Sequence, residues 1–148
     1  MFSLTATAWK EALMRPRTLA EAVERIQNGV SQDVAIEEFA DTFDLSSTGE
    51  ECYATIAEEP ALTNDKRLDA LVGAIAEYLA KQHRLGRVPP WASGPARYLD
   101  RPWHTCSFAD DGMREYLTFA SPAEFASHNI FTEERPLRRA RGPRPAKM

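Results

Sequence analysis

The most regular pattern of apolar and polar positions runs from about Asn64 to Arg84. Leu68, Leu71, Val72, Ile75 and Leu79 recur there at steps of three, one, three and four. That rhythm puts all five on one face of an α-helix. At about 1.5 Å per residue the helix would be roughly 30 Å long, enough to be the spine of the domain. Thr63 is its candidate N-cap and Gly86 its stop. An aspartate in place of Leu71 would put an unpaired charge in the core.

Shorter helical patterns precede this one. Thr18-Leu19-Ala20-Glu21 reads as a capping box opening a helix with Leu19, Ala22, Val23 and Ile26 on its apolar face. It should end at Asn28-Gly29, where glycine tolerates the left-handed terminating conformation. Ser31 can cap the next helix, whose stripe is Ile36, Phe39, Ala40 and Phe43. Its other face carries Asp33, Glu37, Glu38, Asp41 and Asp44. Ser47-Thr48-Gly49-Glu50 reads as a second capping box, and the helix it opens must stop before Pro60.

From Arg87 the periodicity breaks at Pro89-Pro90-Trp91, Gly94-Pro95 and Arg101-Pro102-Trp103. Prolines fix the backbone and tryptophans pack against neighbours, so the segment reads as an ordered wrap with one helical turn near Pro95–Leu99. A further helix is expected from Asp110-Asp111 to Leu117 or Phe119. Ser121-Pro122-Ala123-Glu124 then reads as cap, first-turn proline and third-position carboxylate. That last helix would bury Phe125 and end near His128-Asn129, with Ile130 and Phe131 returning to the core. No run of strands and no internal repeat stands out. The expected fold is all-α: one small helical domain over residues 1–140 with a long central helix, a Pro/Trp-rich wrap, and a disordered basic tail at 141–148.

Composition agrees with a globular chain of 148 residues, 43% apolar and 27% charged. No apolar run approaches the roughly 20 residues of a membrane-spanning helix. The first nine residues lack the basic and apolar regions of an export signal, so a cytoplasmic location is expected. Cys52 and Cys106 are too few for a disulfide framework.

Charge changes the picture more. Residues 1–134 hold 12 Lys/Arg against all 22 Asp/Glu, a net of −10, while residues 135–148 hold six bases and no acid. Within residues 21–65 there are 12 acids and one base, Arg25. An acidic body carries a basic tail.

Candidate chemistry is sparse. His83, His104, Cys106, His128, Asp110 and Asp111 are metal-ligand types, yet only His104-Thr105-Cys106 is closely spaced, and structural zinc commonly takes two such pairs. No nucleophile elbow and no phosphate-cradling glycine loop occurs. Cys106 beside His104 lacks the oriented base an activated thiolate needs. The expectation is a non-enzyme without a cofactor. Adjacent carboxylates such as Glu37-Glu38 and Glu50-Glu51 point in different directions on a helix, and singly each pair is a solvated surface. Taken as one surface, the 21–65 stretch repels nucleic acid and attracts a basic partner. Glu37, Glu38, Asp41 and Asp44 are the candidate partner-binding residues.

The tail has the opposite sign. Arg138, Arg139, Arg141 and Arg144 could meet phosphates and confer salt-sensitive nucleic-acid affinity. They could equally pack on the chain's own acidic body. A helix-turn-helix about Asn28-Gly29-Val30 is disfavoured, because the following helix is acidic where a recognition helix is basic.

In their order, several pieces resemble a group of uncharacterised small bacterial proteins. These are Thr18-Leu19-Ala20-Glu21-Ala22-Val23, Phe39-Ala40-Asp41-Thr42-Phe43, Glu58-Glu59-Pro60, Thr63-Asn64-Asp65, Leu68-Asp69-Ala70-Leu71 and Ala76-Glu77-Tyr78-Leu79-Ala80. Pro90-Trp91, Tyr98-Leu99-Asp100-Arg101-Pro102-Trp103, Ser121-Pro122-Ala123-Glu124-Phe125 and Asn129-Ile130-Phe131 complete the match, over about residues 18–140. Members of that group are often encoded beside a nucleotidyltransferase of the abortive-infection toxin type. The resemblance implies the antitoxin or accessory half of such a pair and brings no catalytic residues. Three classes thus remain: a partner-binding protein, a nucleic-acid-associated regulator acting through the tail, and a metal- or thiol-dependent enzyme or a structural protein.

Overall fold

The computed structural model describes residues 14–106 and 110–137. These residues form a mostly helical body with one very short strand pair. Its helices are α1 (Leu19–Gln27), α2 (Gln32–Leu45), α3 (Gly49–Ala57), α4 (Lys66–Gln82), α5 (Asp111–Ala120) and α6 (Ala123–Ser127). Two 3-10 turns, Pro90–Ser93 and Pro95–Arg97, follow α4, and β1 (Trp103–His104) pairs in parallel with β2 (Ile130–Phe131). A two-residue strand is too short to leave an alternating pattern, which is why it is absent from the sequence reading. None of the described helices is long and apolar enough to cross a membrane.

Helix α4 is the spine. It packs against both 3-10 turns and α6, while α1, α2 and α3 pack on one another. Leu19 and Val23 of α1, Phe39 and Phe43 of α2, Ile56 of α3, Val72 and Ile75 of α4, Phe125 and Ile130 form one buried cluster. Leu71, placed in the core by the heptad-like rhythm, is only half-buried. An aspartate there is therefore less costly than the same change at Val72 or Ile75, each 1% exposed.

Several ends are set by caps, not all of them the expected ones. Thr18 accepts from the Glu21 amide at 3.0 Å, as its box requires, but the Glu21 carboxylate pairs with Arg25 at 3.0 Å. At α3 the cap is Thr48, which accepts from the Glu51 amide, while Glu51 reaches back to the Ser47 amide at 2.8 Å. The box is one residue later than Ser47–Glu50. At α4 the cap is Asp65, accepting from the Arg67 and Leu68 amides. Thr63 instead binds the carboxylate of Asp69, through both its amide (2.9 Å) and its hydroxyl (2.8 Å). Ser31 precedes α2 but makes no side-chain cap bond. Ser121 caps nothing either: its hydroxyl oxygen accepts from the Thr132 amide at 2.7 Å and so ties the end of α5 to the chain after β2.

Helix α4 ends in a left-handed turn on a non-glycine residue. The Leu85 amide bonds Ala80 O at 3.0 Å and the Arg84 amide bonds Lys81 O at 3.3 Å, with Arg84 at φ 52°. The same double bond closes α1, where Gly29 holds that position at φ 102°. A side chain at Arg84 carries the Cβ penalty that glycine avoids. Arg84→Gly should therefore raise stability by about 0.5–1 kcal/mol in urea unfolding, whereas Gly29→Arg should lower it by a similar amount.

Two buried polar groups lock the C-terminal half onto α4. Arg97, 1% exposed, donates to Asp69 O (3.3 Å), Pro60 O (2.7 Å) and the Glu59 carboxylate (3.1 Å), with its guanidinium 5.0 Å over the Trp91 ring. His128, fully buried, stacks on Tyr98 at 4.3 Å and sets one ring nitrogen on Arg97 O and the other 2.8 Å from Glu77 Oε1. The Arg97 carbonyl faces one ring nitrogen and the Glu77 carboxylate the other, so the imidazole bridges the Pro95–Arg97 turn and α4.

Glu77 completes this set. Burial pushes its carboxyl up, but hydrogen bonds from Lys81 and His128 outweigh that and hold it below the ordinary value of 4.5. A lowered folded value means the contribution is complete above the unfolded value and is lost as pH falls through the folded one. The native chain should lose stability below about pH 4.5, and Glu77→Gln should flatten that acid limb in urea titrations from pH 6 to pH 3. An unchanged limb would remove Glu77 from the set.

Candidate functional site

Beside the spine lies a groove of about 300 Å³. Ile36 and Ala40 of α2, Leu71 and Ile75 of α4, Trp103 and Phe125 give it an apolar floor. Gln32, Asp33 and Glu37 of α2 form one rim, Thr105 and Thr132 lie on the β side, and Pro136 and Leu137 close the lining. Positions 32, 33, 36, 37 and 40 share one helix face, so α2 presents Ile36, Ala40 and two carboxylates to the same space, while Phe39 and Phe43 turn into the core. Trp103 is held there by backbone pairing: its amide donates to Asn129 O at 2.9 Å, and Arg67 lies 5.0 Å over its ring. Asn129 takes the left-handed conformation at φ 69° and anchors its side chain on Leu99 O, which turns the chain from α6 into β2.

Of the expected acidic set, Glu37 lines the groove and is exposed. Glu38, Asp41 and Asp44 are half-buried and are not among the lining residues. Glu37, Asp41 and Asp44, spaced by four and three, follow one side of α2, with Glu38 turned to the adjacent side. Asp33 joins Glu37 in the lining, one turn nearer the helix start, where a carboxylate also suits the helix dipole. Its absence from the expected set has a simple cause: membership of the groove depends on Trp103 and Phe125, far away in sequence. The tail residues Arg138, Arg139, Arg141 and Arg144, and the disorder expected at 141–148, lie outside the described residues.

The metal-ligand types are scattered. His104 Nε2 sits 3.3 Å from the Thr118 hydroxyl and its ring stacks on Phe131. Asp110 accepts from the Met113 amide as the cap of α5, and Asp111 lies 3.6 Å from Arg114. His83 meets the edge of Phe43, and Cys106 is half-buried. Among the described residues no three His, Cys, Asp or Glu side chains are grouped to hold a metal. The groove is lined by neither His104 nor Cys106.

A second surface was not anticipated. On α5, Met113, Tyr116 and Phe119 are 41%, 54% and 82% exposed, and Leu117 is the buried residue of that helix. The three exposed residues recur at steps of three along one side of α5, while the helix rests on β1 and β2 with another side.

No family model, curated protein or solved structure matches this chain.

Proposed function

We propose that the chain acts by occupying another protein, as the antitoxin-like partner of a nucleotidyltransferase-type toxin, and that it does no chemistry of its own. The observation that carries the reading is the groove in which Asp33 and Glu37 border an apolar floor of Ile36, Leu71, Ile75, Trp103 and Phe125. Such a site takes an apolar side chain on its floor while flanking bases meet the carboxylates. A protein that handles nucleotides or transfer RNA needs a basic cleft, and an acidic helix is complementary to one. In the same reading the Pro/Trp-rich stretch is an ordered wrap that keeps Trp103 in the groove wall. The nucleotidyltransferase identity comes from the resemblance noted above, and the groove supplies the recognition chemistry.

Co-purification from the native host, followed by identification of what is retained, names the partner. Reversing Glu37, Glu38, Asp41 and Asp44 to lysine should then slow association about tenfold or more at low salt and much less at high salt, because the attraction is screened over about 10 Å at 0.1 M. Stopped-flow association at two ionic strengths reads this directly. An equal rate for both proteins would sink the interface.

A further inference from the structure

We propose that the groove selects arginine over lysine, and that its occupant is a partner helix carrying an arginine one turn away from a large apolar residue. The identity of the partner rests on the partner-binding reading above, whereas the arginine preference rests on the groove alone.

The lining is electrically lopsided. Among the described residues that line the groove, the charged ones are Asp33 and Glu37, both on α2. At the β1 wall, Trp103 already carries a cation, Arg67, 5.0 Å over its ring. The Thr105 hydroxyl on that wall donates to the Thr132 hydroxyl at 3.2 Å. A second cation beside the indole would meet Arg67 as a like charge. An incoming base is therefore directed to the α2 rim, and an apolar group takes the floor of Ile36, Leu71, Ile75 and Phe125.

Spacing then separates the two basic side chains. Asp33 and Glu37 lie one turn apart on one side of α2, which puts their Cβ atoms about 5–6 Å from each other. A guanidinium is a planar fork of five N–H donors, so different edges face the two carboxylates at once. An ammonium is a compact, strongly hydrated point charge and satisfies one of them well. Net charge draws both equally; the pair of carboxylates distinguishes them.

Register fixes the rest of the occupant. Ile36 and Ala40 share the helix side of positions 33 and 37, so the floor begins within one turn of the acids. A volume of about 300 Å³ equals roughly ten waters, room for side chains and not for a whole helix. A helix lying along the mouth and inserting residues i and i+4 matches α2 turn for turn.

The test uses the full-length chain and alanine-rich helical peptides of about 16 residues. One has leucine and arginine four positions apart, a second has lysine for the arginine, and a third has the arginine moved by two positions. NMR titration should give the first peptide about tenfold tighter binding than either of the others. Its shifts should centre on amides 32–40 and the Trp103 indole. In Asp33→Asn, a change at an exposed position, the arginine and lysine peptides should bind alike, and Glu37→Gln should level them in the same way. Equal binding of both peptides by the native chain overturns the proposal. So does an arginine advantage that survives both substitutions, a response centred on Met113, Tyr116 and Phe119, or no binding at millimolar peptide. The peptides contain no toxin sequence. An arginine preference in a chain that retains no nucleotidyltransferase on co-purification retires the toxin reading and keeps this site. A retained toxin with a groove indifferent to arginine does the reverse.

Discussion

Replacing Arg97 with alanine should cost about 3–5 kcal/mol of folding stability, a large part of the roughly 5–15 kcal/mol a domain possesses. The figure follows from what the guanidinium leaves behind. Asp69 O and Pro60 O would each lose a charged donor in a place where water does not reach, at about 1–3 kcal/mol apiece. The Trp91 ring would lose the planar cation lying 5.0 Å away. Glu59 adds little, because its carboxylate is 57% exposed and its ion pair is screened by solvent. Arg97→Lys should restore only a fraction, since one ammonium cannot reach two carbonyls and lie flat on an indole together. Urea unfolding of the three proteins measures this; a loss under about 1 kcal/mol for alanine would show that the carbonyls find other donors.

Arg97 also marks the boundary of what the sequence made legible. Thr18 and the turn at Asn28-Gly29 act on residues within five positions, so their roles follow from local spacing and the structure bears them out, as it does the helix expected from Asp110-Asp111, which runs over Asp111–Ala120. The spine was legible for the same reason, since five apolar residues in helical rhythm need no knowledge of the rest of the chain. Thr63 and Ser121 were misplaced because each has a competing partner that local rules do not weigh: the Asp69 carboxylate for one, the Thr132 backbone for the other. Leu71 was misplaced because periodicity gives a face and not its edges; the core covers Val72 and Ile75, while Leu71 falls at the groove.

The buried polar contacts were out of reach altogether. Arg97 with the Pro60 carbonyl, and His128 with Glu77, join positions 37 and 51 residues apart, and in sequence Arg97, His128 and Glu77 each look like ordinary surface residues. The groove shares that origin. Its acids were legible as an acidic stretch, but its floor is assembled from α2, α4, β1 and α6. The exposed Met113, Tyr116 and Phe119 show the converse, a correct helix whose apolar side faces outward.

Gly73→Ala should destabilise the fold by about 1–3 kcal/mol, although alanine is the better helix former by about 1 kcal/mol. Gly73 lies in the middle of α4, where an added Cβ would meet Arg97 Cβ at 2.8 Å and Ala92 O at 3.2 Å. Neither obstacle is the free end of a flexible side chain. Relief would require the Pro90–Ser93 and Pro95–Arg97 turns to move off the spine, and the Arg97 bonds to Asp69 O and Pro60 O would stretch with them. The clash is with Cβ, so Arg97→Ala does not remove it. The double variant Gly73→Ala with Arg97→Ala should therefore remain less stable than Arg97→Ala alone. Arg97→Gly, which lacks that Cβ, should show a clearly smaller penalty for the same change at 73. Equal penalties in the two backgrounds, measured as a double-mutant cycle in urea, would place the obstruction at Ala92 O instead. A stabilised Gly73→Ala would mean that the two turns are not held against α4 by this contact at all.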